Sequence, residues 1–372
     1  MSRAKNILQG VIFFAAVLLS TAAAVAGPTS RLLYVAAPGI RNYLAYGGAG
    51  ILVFDIDNDH LFVRRIETSA SRVESPENIK GICASAATGK LYFSTPTKLY
   101  CLELTTDREL WQIAPPGGCD RMSILPDGKL LYVPSFEGSI WNVIDGATGG
   151  IMATIRTDSR AHNTICGQSG QAVYLAGLGS PVLSVADARK HRVVRGVGSF
   201  SAEVRPFTVD GAERRAFVCV NRLLGFEIGD IPTGKVTARV AVAGYSTGKV
   251  QRHGCPSHGI GLTPDEKEIW LCDSANRRLH VFDVTVEEPR QVASIALRDE
   301  PGWVTFSLDG KIAYSLTGEV IDVGSKRIVA ALKDELGRDV QSEKLLEIDF
   351  ADGKPLKAGD QFGVGRMPYL AR

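Results

Sequence analysis

The most chemically loaded stretch of the chain is Arg252-His253-Gly254-Cys255-Pro256-Ser257-His258. Two imidazoles and a thiol lie within one short segment, and imidazole serves as a general base or as a ligand for zinc, copper or iron. Other polar residues come in pairs far from this segment and from one another: Glu77 and Lys80, Asp120 and Arg121, His162 and Asn163, Glu203 and Arg205, and Glu300 with Trp303. Lysine and arginine at such positions suit a carboxylate or phosphate, arginine through a forked set of donors. Trp303 would stack on an apolar or aromatic part of the same ligand. Residues this far apart form one site only in a fold that gathers them.

The chain carries a repeat that does so. Its clearest copy runs from Asp120 to Thr157: a first strand around Met122 to Leu125, a turn Pro126-Asp127-Gly128-Lys129, and a second strand around Leu131-Tyr132-Val133. A third strand, Ser139 to Asp145, and a fourth, Ile151 to Ile155, complete it. The second-strand cores return at Leu32, Leu91, Leu131, Val173, Phe217, Ile269 and Ile312, a period of about forty residues typical of propeller blades. Each third strand is expected to end in an acid: Asp55, Glu103, Asp145, Asp187, Glu227, Asp283 and Asp322. A short carboxylate there accepts backbone N–H groups and starts the next turn, so these acids read as structural. The Asp-Gly pairs at 127–128, 210–211 and 309–310 suit hairpins needing positive φ, whereas Pro264-Asp265-Glu266-Lys267 lacks the glycine. The reading is an all-β, seven-bladed propeller of four-stranded antiparallel blades. The first blade lacks its first strand, and Leu345 to Phe350 is expected to supply it and close the ring, with a third-strand register for that segment as the alternative.

In a propeller the first strand of each blade lines the central channel, and the residues just before it ring one mouth. The paired residues occupy those positions in six blades. The expected ligand-binding set is Lys80, Arg121, His162, Asn163, Glu203, Arg205, His258 and Trp303, with a small anionic molecule or an exported partner peptide as the ligand. The same groups would alternatively pair with one another across a water-filled channel. No cofactor is expected; a metal held by His162, His253 and His258, with Glu203, is the subordinate reading. No catalytic residue is assigned. Lactone or ester hydrolysis, with His162 or His258 as base and Arg121 or Arg205 on the oxyanion, is the enzymatic alternative, although no serine elbow supports it.

The Leu-Tyr-Val second strands, the Pro126-Asp127-Gly128-Lys129 turn, third strands such as Val281-Phe282-Asp283 and fourth strands such as Met152-Ala153-Thr154-Ile155 resemble the YVTN/YncE-like β-propeller repeats over nearly the whole chain. The resemblance implies a scaffold with a central pocket, used by binding proteins, surface proteins, lactonase-like hydrolases and quinoprotein amine dehydrogenase subunits alike. It brings no cofactor ligand set that maps onto these residues, and fold does not carry function.

Arg3 and Lys5 precede the apolar run Ile7 to Leu19 and the small residues Ala24-Val25-Ala26, the pattern of a signal peptide cleaved after Ala26. The expected product, residues 27–372, is a single-domain monomer in the periplasm or outside the cell, with no membrane span. A formal charge of +2 with both signs scattered lacks the basic footprint of a nucleic-acid binder. Seven cysteines without a Cys-Xaa-Xaa-Cys pair read as buried small hydrophobes, with a Cys255–Cys272 disulfide as one possible pairing.

Overall fold

The computed structural model describes residues 29–367. The leader and its cleavage point lie outside them. Seven antiparallel sheets follow one another, each wound from a channel-facing first strand to a peripheral fourth. The first strands are Gly81–Ser85, Ser123–Ile124, Ala161–Cys166, Val204–Val209, Ile260–Leu262, Val304–Phe306 and, for blade 1, Leu345–Ala351. First strands of neighbouring blades meet around the ring, and blades 4 and 5 touch through Ala172–Gly177 and Val204–Val209.

The ring closes as the repeat requires. Leu345–Ala351 lies against Thr29–Ala37 with Leu32 opposite Ile348, so the first-strand register holds and the third-strand alternative does not. Blade 1 departs from the four-stranded expectation. The chain turns at Asp352 and Gly353 and adds a fifth strand, Lys354–Ala358, on the channel side of Leu345–Ala351.

Hydrophobic side chains of facing sheets interlock between blades; between blades 2 and 3, for example, Cys83, Tyr92, Cys101, Cys119, Met122, Leu131 and Ile144 form one cluster. All seven cysteines are buried and free. The Cys255–Cys272 disulfide is therefore not formed; the Cys255 Sγ–H donates instead to the Ser257 carbonyl. The turn acids behave as expected at Asp145, whose Oδ1 accepts the Ala147 and Thr148 N–H groups. Blade 5 needs a correction: its third strand runs Gly225–Asp230, and Asp230, not Glu227, accepts the turn N–H of Thr233. Glu227 is buried mid-strand and paired with Arg239. Among the described residues no helix is long and apolar enough to cross a membrane.

The C-terminal tail fills the lower channel. After Lys354–Ala358 it crosses the bore, where the Gln361 side chain accepts the Ile82 N–H and donates to the Met122 carbonyl, tying blades 2 and 3. The Gly363 carbonyl accepts the Thr208 hydroxyl and the Leu262 N–H from blades 5 and 6. Two first-to-second-strand turns put glutamate where glycine stands in the others: in blade 5 Glu213, at φ of 55°, takes the left-handed position that the Asp210–Gly211 pair was expected to supply, and in blade 6 Glu266 takes it and holds the end of the tail. Glu266 adopts φ of 59° there, and its carboxylate accepts the N–H groups of Gly211 and Met367. Left-handed backbone is costly for a residue with a Cβ. Here the side chain that the cost permits becomes an anchor.

Candidate functional site

Above this plug the opposite mouth opens into a cavity of about 660 Å³. Its base is a vertical stack. Phe362 of the tail packs edge-on against Trp303 with ring centres 6.0 Å apart, and the Trp303 indole N–H donates to the Gln361 carbonyl. The Arg121 guanidinium lies 3.6 Å above the Trp303 ring centre, within cation–π range. Arg121 is 3% exposed, and its Nη2 pairs with the Glu343 carboxylate. Burial draws Arg121 down to about 9, still above neutrality, so it stays a cation. Its Nε and Nη1 have no partner among the described residues. A buried donor left unpaired costs free energy that a ligand acceptor would recover.

Glu343 and Lys344 organise this floor. Lys344 Nζ lies 2.7 Å from Glu343 Oε2 and donates to the Gly39 carbonyl at 2.8 Å. Burial, reinforced by the charges of Arg121 and Lys80, draws Lys344 well below its ordinary value. One carboxylate thus serves two buried cations. Glu343 and Lys344 sit immediately before Leu345–Ala351, at the rim position of blade 1.

A second cluster stands beside it. His162 Nδ1 lies 2.7 Å from Asp120 Oδ2, and Lys80 Nζ lies 3.5 Å from Asp120 Oδ1. Burial pushes the Asp120 carboxyl up, but His162 and Lys80 more than offset it and hold it below the usual carboxylate range. Burial draws His162 below the ordinary imidazole value despite the neighbouring Asp120. The neutral ring donates Nδ1–H to Asp120, which leaves Nε2 as an acceptor on the cavity side.

The loop between Lys235–Ala241 and Ile260–Leu262 brings in Arg252, His253 and His258. Glu300 accepts the N–H groups of Gln251 and Arg252 at 2.8 and 3.0 Å, and the Arg252 side chain reaches Asp299, Tyr46 and Gln341. His253 and His258 stack with ring centres 4.5 Å apart, 17° from parallel. Burial, then the charges of Arg121 and Lys344, draws His253 down to about 3, and burial beside His253 draws His258 well below its ordinary value. His253 Nδ1 is 3.5 Å and His258 Nδ1 is 4.0 Å from Glu343 Oε1, a grouping of the size a metal ion needs. Its orientation fits a metal poorly. Near-parallel rings do not converge their lone pairs, and His258 Nδ1, 3.2 Å from the Gly302 carbonyl, must carry the proton that bond requires. The surrounding cations oppose a further positive charge.

Of the residues expected at the mouth, Lys80, Arg121, His162 and His258 line the cavity together, with His253 beside them and Trp303 beneath. Asn163 lies behind the wall, its backbone bridged to that of Arg121 and both atoms of its buried amide without a partner among the described residues. Arg205 packs against Gly254 behind the loop, its Nε likewise unpartnered. Glu203 does not join them. It accepts from the Asn221 side chain in a separate surface depression, so the carboxylate beside the histidines is Glu343 rather than Glu203. Glu77 accepts from Thr97, and the Ser257 hydroxyl accepts the Gly225 N–H; both are spent on structure. Residues that the sequence reading passed over are Glu343, Lys344, Arg41, Tyr43 and Phe136, all lining the cavity. The first two were readable by the rim rule once the closing strand was placed; the others stand on loops that the repeat does not register.

No protein-family model matches the chain, and no curated protein is similar to it. Among solved structures it is similar to the Kuenenia stuttgartiensis hydrazine synthase, with a TM-score of 0.59 and 14% sequence identity over 79% of this chain and 90% of that one. A likeness at this identity shows the propeller fold alone.

Proposed function

We propose that this protein is an exported binding protein of YVTN/YncE-like repeat type whose channel mouth captures a small anion. The observation that carries the reading is Arg121: a buried, permanently charged guanidinium, levelled by Trp303 and left with two unpartnered nitrogens beneath an open cavity. Lys80, Lys344, Arg41 and Arg252 line the same cavity, against the acids Glu137 and Glu343. Because the tail seals the bore below, the pocket is blind, which suits a small molecule better than a threaded peptide. Export rests on the leader sequence and its compartment on the same pattern.

Calorimetric titration with acetate and inorganic phosphate tests this. The folded wild-type protein is expected to bind at least one of them saturably, and Arg121→Met, checked for native circular dichroism, to lose that binding. Binding undiminished in the folded variant would remove the anion site.

One observation favours a second, hydrolytic reading: the Asp120–His162 pair presents an unpartnered Nε2 to the cavity, the arrangement of a general base. It predicts turnover of an ester or lactone that His162→Gln abolishes while anion binding persists.

A further inference from the structure

The cavity is mixed in its chemistry. Arg121, Lys344, Arg252, His253 and His258 make part of its lining cationic or imidazole, and Ile40, Tyr43, Pro96 and Phe136 add apolar surface among the polar side chains of their own loops, Arg41 and Glu137 included. The four apolar residues come from loops of blades 1, 2 and 3, and the blade 1 loop touches the blade 6 loop, the Arg41 guanidinium donating to the Arg252 carbonyl. Tyr43 and Phe136 are 43% and 44% exposed, so their ring faces are open to a ligand in the cavity. Lys80 Nζ lies 5.0 Å from the Phe136 ring centre, so the aromatic face abuts the charged one.

We infer that the ligand is a small monocarboxylate carrying an apolar, ring-bearing body, its carboxylate seated on Arg121 and its ring lying against Phe136 and Tyr43. This rests on the anion reading above and narrows it to a class. Two features select that class over an inorganic anion. Free phosphate has no use for apolar surface, whereas a ring would bury the exposed aromatic faces. The positive excess is also modest, because Arg121 and Lys344 share Glu343, Lys80 pairs with Asp120 and Arg252 pairs with Asp299, while the neutral His162 adds no charge. A single negative charge is balanced there; a dianion would meet the buried carboxylates Glu343 and Asp120. The size agrees: about 660 Å³ lies within the ordinary range of small-molecule pockets, roughly 300–1,000 Å³.

The test compares acetate, phenylacetate and inorganic phosphate by calorimetry on the full chain. Burying roughly 60 Å² of ring surface at the usual hydrophobic coefficient corresponds to about a tenfold gain, so phenylacetate is expected to bind about tenfold tighter than acetate or better. Phe136→Ala and Tyr43→Ala, both at exposed positions compatible with folding, are expected to pull that ratio toward unity. Equal affinities for acetate and phenylacetate, or phosphate tighter than both, would overturn the class and leave an anion site standing. No binding of any of the three would overturn the anion reading itself.

Discussion

Replacing Glu343 by glutamine tests the heart of the site. Glu343 is 5% exposed and its carboxylate is shared by Arg121 and by Lys344, 2.7 Å away. At an effective dielectric of about 20, unit charges about 4 Å apart attract by about 4 kcal/mol, so two such pairs are large in gross terms. Desolvation of the carboxylate opposes part of this, and Lys344 can relax by shedding its proton. What remains is the cost of a buried arginine without a counter-ion, about 3–5 kcal/mol. For a domain of this size about 1 kcal/mol shifts the melting midpoint by about 2 °C, so Glu343→Gln is expected to melt roughly 6–10 °C lower. Urea unfolding at neutral pH and low salt, followed by tryptophan fluorescence, supplies the free energy directly. The double variant Arg121→Met with Glu343→Gln is expected to lose about 2 kcal/mol less than the sum of the singles, because the partners then leave together. A Glu343→Gln protein within about 1 kcal/mol of wild type would show that Arg121 does not depend on this carboxylate, and the electrostatic account of the floor would fall.

Acid should loosen the fold through His253: folded, its imidazole titrates at about 3, whereas unfolded it takes up a proton near 6.5. Between those values the unfolded chain binds the extra proton, so stability falls as pH drops below about 6.5, by about 2 kcal/mol at pH 5, and His253→Gln should flatten that limb of a denaturation series. Phe362→Ala removes a side chain 3% exposed from the plug beneath Trp303; urea melts should show a loss of about 3–5 kcal/mol, and a variant as stable as wild type would mean that the tail does not seat in the channel. With all seven cysteines free and buried, unreduced protein should react with a thiol reagent scarcely at all when native and at seven sites in denaturant; five sites would restore a disulfide. Gly302→Ala places a Cβ 2.1 Å from the His253 ring, and the resulting displacement should appear as a changed His253 resonance and weakened anion binding.

Short-range patterns carried the fold because a propeller is built from local hairpins. Alternating apolar residues, turn glycines and a terminal acid are each decided within a few neighbours, so Leu131-Tyr132-Val133 and Pro126-Asp127-Gly128-Lys129 meant the same thing in sequence as they do in space. The rim rule then placed Lys80, Arg121, His162 and His258 around one cavity without reference to their separation along the chain. Glu343 and Lys344 obey that rule too, but they belong to the blade whose strands come from opposite ends of the protein. Their role appears only once Leu32 is set opposite Ile348. Side-chain direction lay further out of reach: Glu203 and Ser257 hold rim positions, yet each turns to a neighbour that the repeat does not encode, Asn221 and Gly225. Nor could the repeat announce the plug, because residues 359–367 belong to no blade. Gln361 and Phe362 enter the bore because apolar and hydrogen-bonding groups from blades 2, 3, 5, 6 and 7 converge there to receive them. Local periodicity determined the wheel; which side chains face inward, and that its axle is filled from one end, followed from contacts among groups the chain keeps hundreds of residues apart.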